Sequence, residues 1–445
     1  MKLNWFSPLP PARTDIAHYT SRILPSLAEW ADVALWTEQQ EWDKTLEKFA
    51  EVHRFDPSNP RWEDFQAGAN FYNIGNNAGF HSAIWQVSRQ SPGIVLLHDI
   101  RLFEFFANCY RWIWGDRDGF LSCLERYYGG DGRRDGEDFW ADHLAFPYMV
   151  ERYPLIPLAL ENALGAIVHT KAACHAVQGV IDCPVAYSPL PYPSKALQQD
   201  EAQRKVKYEQ GPPYRLIMFG YINPNRRLEQ FLEALRGMPE AQDRFVLDIY
   251  GELWNLSFVK DKIGRFGLRD RVTIHGFVPE PELDTALANA HLAINLRYPS
   301  MGEASGSQLR IWSHALPSIV TRTGWYAAIP ETAACFVRPE NEIEDIQSNL
   351  RSFLKNPLPF VTMGSSGYSI LENKHSPHLY SRFIQKIVAV IPELTARKVA
   401  ISLAERTGDD LTRWIAPDAL ELILDSSSRA IYDLTNAGFS QLHSI

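Results

Sequence analysis

Short apolar runs rich in Val, Ile, Leu and aromatic residues recur along the chain, and in its second half each alternates with a stretch whose apolar residues repeat at helical spacing. This pattern constrains the fold more than any other feature. Strands that alternate with helices pack as largely parallel sheets with helices laid on their faces. In the first half, KLNWFSP, DVALWTE, GANFYNIG, GIVLLHD, GAIVHT and CPVAYSPLP read as successive strands. Residues 39–63 are charged and contain Trp, and no period assigns them. Residues 111–150 predict a helical insertion with a Gly/Asp/Arg loop at its centre.

Residues 196–213, polar and closed by Gly-Pro-Pro, read as a linker. Beyond it the alternation is regular: strands YRLIMFG, RFVLDIYGE, RVTIHGFV, HLAINLRYP, SIVTRTG and ACFVRP, with helices RRLEQFLEALRGM, LSFVKDKIGRFGL, PELDTALANA, QLRIWSHAL and EDIQSNLRSFLKN. A chain of 445 residues exceeds one ordinary core. The expected organisation is therefore a doubly wound domain over 1–195, the linker, and a second over 214–374, with residues 395–445 read as short helices. In such sheets ligands sit beyond the carboxyl ends of the strands.

The balance of 44 Lys and Arg against 53 Asp and Glu, net charge -9, argues against a nucleic-acid binder but leaves room for a local basic pocket. Five scattered cysteines, none in a C-x-x-C pair, read as buried thiols of a reducing cytoplasm. The start MKLNWFSPLPP lacks the apolar run of a signal peptide, and LIPLALENALGAIVH carries Glu161 and Asn162 and so does not read as a membrane span. The expectation is a cytoplasmic protein, with contact to the inner face of a membrane left open.

The residues that carry chemistry cluster at strand ends. FGYINPNRRLEQFLEAL places Gly220 at a tight turn and Arg226 and Arg227 at a helix start. Cations are unfavourable there unless an anion is shared between guanidinium and free amides. An ordinary solvated helix start is the competing reading. In MGEASGSQLR, the small residues Ala304, Ser305, Gly306 and Ser307 let backbone amides approach an anion just before a helix. Glu303 would be repelled by that anion and is expected to face sugar hydroxyls instead. LLHDIRLFEFF ends a strand in His98-Asp99, and FYNIGNNAGFH presents Asn76 and Asn77 at another strand end. Arg13, Thr14 and Asp15 precede a helix, where Thr14 or Asp15 serves equally well as a plain cap. No G-x-S-x-G, P-loop, H-E-x-x-H or first-strand G-x-G-x-x-G motif occurs, and no carboxylate cluster suggests an essential metal.

Taken in order, WFSPLPPARTDIAHYT, YNIGNN, LLHD, GAIVHT, FGYINPNRRLEQFLEAL, VTIHGFVPEPEL, LRYPSMGEASGSQLR, LPSIVTRTGW and NKHSPHLYSRFIQ resemble a bacterial retaining glycosyltransferase of family four, the "group 1" type, over residues 1–392. The resemblance implies the GT-B fold: two Rossmann-like doubly wound domains facing each other across a cleft. Residues 375–394 would cross back to the first domain. It implies sugar transfer from a nucleoside-diphosphate donor with retention, without metal or other cofactor. The acceptor would be a saccharide or lipid-linked hydroxyl in cell-surface polysaccharide synthesis.

By the same resemblance, Arg226 takes the place of the family's diphosphate-binding lysine. Tyr221 stands where many relatives have an arginine, a contact that Arg227 or Arg297 would have to supply. Glu303 matches the first glutamate of a paired-glutamate motif. The second, a ribose ligand, falls on Arg310. His98 matches a histidine near the transferred sugar, which makes Glu303, His98 and Arg226 the implied catalytic set. Arg13, Thr14, Asp15, Asn76, Asn77 and Asp99 fall on the acceptor side. Two competitors remain: a nucleotide-sugar epimerase on the same fold, and a non-catalytic scaffold subunit of a glycan-assembly complex.

Overall fold

The computed structural model describes residues 1–59, 65, 68–197, 200–241 and 243–414. The chain divides into two units, Met1–Pro189 together with the chain from His378, and Leu190–Pro377. Residues 415–445, part of the stretch read from sequence as short helices, lie outside the described residues.

The first unit is built on a parallel sheet of β1 (Lys2–Phe6), β2 (Asp32–Thr37), β3 (Glu51–Arg54), β4 (Ala69–Ile74), β5 (Ile94–Leu97), β6 (Gly165–Val168) and β7 (Val185–Tyr187), in the order β3-β2-β1-β4-β5-β6-β7. Every residue of β5, IVLL, is buried, as expected of a strand covered on both faces. β3 is the strand that the charged segment 39–63 concealed. The insertion does contain a long helix, Arg117–Trp140. Its Gly/Asp/Arg centre is helical rather than a loop, apart from a kink at Gly129, whose φ of 70° is the left-handed conformation glycine adopts freely. The helix Pro377–Trp414 is continuous through residue 395. It is fastened to the first helix, Asp15–Ala28, by Tyr19–Tyr380 (2.7 Å) and by Ser381 Oγ donating to Ser26 O (2.6 Å).

The second unit carries β8 (Tyr214–Phe219), β9 (Phe245–Tyr250), β10 (Val272–Gly276), β11 (Leu292–Asn295), β12 (Ser318–Thr321) and β13 (Cys335–Val337), all parallel, in the order β10-β9-β8-β11-β12-β13. Side chains alternate across β8. Leu216 and Met218 join the core under the helix Leu228–Arg236, whereas Ile217 and Phe219 pack with Leu287 and Ile311 on the other face. Phe231, Leu232 and Leu235 are almost wholly buried, worth about 2 kcal/mol each on area grounds. Within 196–213, Glu201–Glu209 is a helix with a capping box at Asp200, hydrogen-bonded through Glu201 to Ser365 (2.7 Å) of the helix Leu358–Lys374.

Both sheets reverse winding direction at their first strand, between β1 and β4 and between β8 and β11. At such a point neighbouring loops diverge to opposite faces and leave a crevice at the carboxyl edge. Most candidate residues fall on these loops; His98 and Asp99 follow β5, and Arg310 lies within the helix Gly306–Ser313.

Candidate functional site

In the second unit, Ala293 pairs with Ile217. Carrying that register forward levels Asn295 with Phe219, so the loops after β8 and β11 leave the sheet side by side. Gly220 turns the first loop with φ 104°. Gly251, at the end of β9, has φ 110°, and a Cβ there would meet the Gly220 carbonyl oxygen at 2.0 Å. Only glycine fits that approach. The loops are tied together where Tyr298 N donates to Asn225 O at 2.8 Å. A Cβ on Gly220 would lie 4.0 Å from Ser307 Oγ, which sets the first loop against the start of the helix Gly306–Ser313.

That helix start is rigid. Ser305 caps it, accepting from Gln308 N at 3.1 Å, and Ser305 Oγ also accepts from Tyr326 OH at 2.7 Å. Ser305 is 3% exposed. The amides of Gly306 and Ser307 belong to a first turn, which has no intrahelical acceptors. Ala304 precedes the cap.

The charged candidates have partners inside the unit. Arg226 lies beneath the loop, 3% exposed, with Nη2 donating to Phe219 O at 3.0 Å. Arg227 has a left-handed backbone, φ 57°, and grips Glu342 through Nε (3.0 Å to each oxygen) and Nη2 (2.6 Å). Glu303 Oε2 accepts from Met301 N (2.7 Å) and Ser300 Oγ (3.3 Å), and Oε1 faces Arg297 Nη1 at 3.2 Å. Arg310 is buried against Glu280 Oε1 (2.7 Å) and Asp284 Oδ1 (2.9 Å), fastening its helix to Glu280–Asn289. Burial alone would raise the Asp284 carboxyl, but hydrogen bonds from Lys195 and Arg310 outweigh it and hold it below its ordinary range. Two loop acceptors, Asn223 Oδ1 and Asn225 Oδ1, are buried without a hydrogen-bond partner among the described residues. The loops thus set Gly220 beside the start of the helix Gly306–Ser313, with Arg226 bonded to the strand end at Phe219 and Glu303 held by its own loop, while Arg227 and Arg310 are drawn into ion pairs.

In the first unit, the matching crevice holds the other candidates. Thr14 is the cap of Asp15–Ala28, its Oγ1 accepting from Ile16 N at 3.4 Å, and Arg13 and Asp15 flank it, both exposed. Asn77 caps the helix Ala78–Gln90. Asn76 is locked three ways: its N–H to Asp99 Oδ2 (2.9 Å), its Nδ2 to Glu104 (3.3 Å), and its Oδ1 accepting from Phe105 N (2.9 Å). A Cβ on Gly75 would strike Ile16 Cδ1 at 2.5 Å and crowd His81 Nε2 and Asp99 Oδ2 at 3.2 and 3.4 Å, so these groups converge on one glycine.

His98 Nε2 contacts Asn73 Oδ1 at 3.0 Å, and its ring lies 4.8 Å from Tyr19 and 5.2 Å from His169. Burial, then the neighbouring His169 and His81, hold it neutral, well below its ordinary range. Burial pushes His81 down to about 4, opposed by its hydrogen bond to Asn73 O. His169, Tyr19 and Tyr380 complete this cluster and were not singled out from sequence. His169 was findable, because it follows β6 just as His98 follows β5, a polar residue directly after an apolar strand. Among the described residues no group of three His, Cys, Asp or Glu could hold a metal ion. No helix there is long and apolar enough to cross a membrane.

Residues 199–368 match the family described as glycosyl transferases group 1. Among the solved structures that resemble most of the chain are these three. Sucrose-phosphate synthase from Thermosynechococcus elongatus matches with a TM-score of 0.59 at 14% identity, over 87% of this chain and 98% of that one. Anabaena HepE in complex with UDP-glucose matches with 0.58 at 14%, over 87% and 99%. WaaG, a glycosyltransferase involved in lipopolysaccharide biosynthesis, matches with 0.55 at 13%, over 86% and 99%. At such identities the likeness is one of fold. No curated protein sequence matches significantly. The chain therefore has the two-domain, Rossmann-like fold of the GT-B glycosyltransferases, and its residues 199–368 carry the match to the group 1 glycosyl transferases.

Proposed function

We propose that the protein transfers a sugar from a nucleoside-diphosphate donor to a hydroxyl of a saccharide or lipid-linked acceptor, with retention and without a metal, in cell-surface polysaccharide synthesis. One observation carries the reading. The winding reversal of the second sheet sets the Gly220 turn beside the capped helix start, with Arg226 bonded to the adjoining Phe219 carbonyl, within the segment that matches the group 1 glycosyl transferases.

Breaking a bond from an anomeric carbon to a diphosphate leaves negative charge on the departing oxygen. Arg226 and the Gly306 and Ser307 amides stabilise that charge, the largest electrostatic contribution these residues can make. The glutamate's two oxygens offer about four lone-pair sites, two of them on Oε2 used by Met301 and Ser300, while Oε1 is ion-paired with Arg297 but accepts no hydrogen bond among the described residues, so Glu303 keeps capacity for a sugar hydroxyl. Asn223 and Asn225 add two further acceptors. His98, kept neutral, offers the first unit a hydrogen-bonding group rather than a cation. HepE was crystallised with UDP and UDP-glucose, which favours a uridine nucleotide here too. The protein acts in the cytoplasm, with acceptors drawn from solution or from the membrane face.

Thermal shifts with UDP, GDP, ADP, TDP and their sugars identify the donor, since a bound ligand stabilises the folded form. Product formed in the presence of a chelator, with the donor's anomeric configuration by NMR, supports the full reading; inverted product or chelator-sensitive turnover refutes its mechanism. The ion pairs that occupy Arg227 and Arg310 favour a second reading, a nucleotide-binding scaffold. Binding without turnover across a donor and acceptor panel selects that one.

A further inference from the structure

A cavity of about 340 Å³ opens in the first unit at the carboxyl ends of β1 and β2. It lies at the small end of the range of about 300–1,000 Å³ typical of small-ligand pockets. Pro8 and Phe80 and Ile84 of the helix Ala78–Gln90 give it an apolar wall. Its rim is fixed in place by Gln39, whose side-chain amide accepts from Leu9 N (2.7 Å) and donates to Leu9 O (2.9 Å), completing the loop's backbone hydrogen bonds as a neighbouring strand would.

The other polar side chains of the lining are engaged. Ser7 Oγ bonds Pro8 O and Thr20 Oγ1, and Thr37 Oγ1 bonds the Gln39 side chain. Glu38 differs. It is half-buried in the cavity, yet no described residue gives it a hydrogen bond or an ion pair, and burial raises its carboxyl with nothing to offset that rise. Its oxygens are not sealed from solvent, so hydroxyl donors of a ligand can take the place of water there.

We propose that this cavity is a saccharide subsite, in which Glu38 accepts hydroxyl hydrogen bonds from one neutral sugar ring of the acceptor while Phe80, Pro8 and Ile84 pack against the ring's C–H face. The identity of the ligand rests on the glycosyltransferase reading; the site itself rests on the cavity and the unpaired carboxylate. Two acceptor oxygens beside an apolar wall suit a polyol ring. The same charge repels phosphate, so the phosphate of a lipid-linked acceptor does not occupy this position.

The test uses the intact protein without nucleotide. Methyl α-glucoside, α-galactoside, α-mannoside and N-acetylglucosaminide are titrated by saturation-transfer NMR beside methyl phosphate, and nucleoside-diphosphate binding is measured separately. At least one glycoside binds and methyl phosphate does not. Glu38→Gln, near-isosteric, and Phe80→Ala, which leaves the carboxylate in place, each weaken that glycoside about tenfold, with nucleotide affinity unchanged. Absence of glycoside binding, or parent-like binding in both variants, overturns the proposal. Nucleotide binding that persists in that case leaves the transferase reading standing. Glu38-dependent glycoside binding in a protein that binds no nucleotide keeps the subsite and ends the transferase reading.

Discussion

Replacing His81 by asparagine should flatten the acid side of this protein's stability profile. The His81 ring is 1% exposed, and its Nδ1 donates to the Asn73 carbonyl at 3.0 Å, which fixes the neutral tautomer. Burial depresses its folded-state value to about 4, against about 6.5 in an unfolded chain. Above pH 6.5 both states hold the ring neutral and the folded state is at full advantage. As the pH falls below 6.5 the unfolded chain takes up a proton that the folded ring refuses, and stability is lost until about pH 4. At about 1.4 kcal/mol per unit, the loss is about 2 kcal/mol at pH 5 and about 3 kcal/mol by pH 4. Asparagine keeps a donor toward the Asn73 carbonyl and cannot titrate. Urea unfolding at pH 7.5 and pH 5 measures the difference: the parent should lose about 2 kcal/mol more than His81→Asn over that interval. Equal losses in the two proteins would refute a neutral, desolvated His81. In the variant His98 keeps its burial and its His169 neighbour and loses only the smallest influence on it, that of His81, so most of its own contribution is common to both proteins.

The remaining predictions concern the second unit. Arg227→Ala leaves the 6%-exposed Glu342 side chain without its cation and should destabilise by roughly 3 kcal/mol, whereas Arg227→Gly, which relaxes the left-handed backbone, should recover about 1 kcal/mol of that in urea unfolding. Equal stabilities would remove backbone strain from the account. Ser305→Ala deletes both the helix cap and the acceptor of Tyr326 OH; it should cost about 1 kcal/mol and weaken nucleotide binding several-fold by calorimetry.

Sequence periodicity was a sound guide where strands are buried and flanked by regular helices, as from β8 through the helix Glu342–Lys355 in the second unit. It failed where local composition hides a tertiary role. β3, EVHR, is a short edge strand whose charged ends carry no apolar signature. In the helix Leu358–Lys374, the run MGSSG has the composition of a loop, yet a Cβ on Gly364 would meet Ala315 O at 2.0 Å and one on Gly367 would meet Trp312 at 2.2 Å. Those glycines allow close helix packing rather than a turn. The strand-end positions of Gly220, His98 and Asp99 were legible because a polar or glycine residue directly follows an apolar run. The partners of Arg227 and Arg310 were not, since Glu342, Glu280 and Asp284 lie 26 to 115 residues away in sequence and come close only through the fold. Glu38 was missed for the opposite reason. A glutamate after a strand is ordinary, and only the cavity around it sets it apart.

The claim on which the account depends is that the loops after β8 and β11 grip a nucleoside diphosphate through Arg226 and the start of the helix Gly306–Ser313. Calorimetric titration of the parent and Arg226→Gln with whichever of UDP, GDP, ADP or TDP gives the largest thermal shift tests it directly. The parent should bind saturably and the variant at least about tenfold more weakly, as loss of a charge-assisted contact requires. Equal affinities in the two proteins would contradict it.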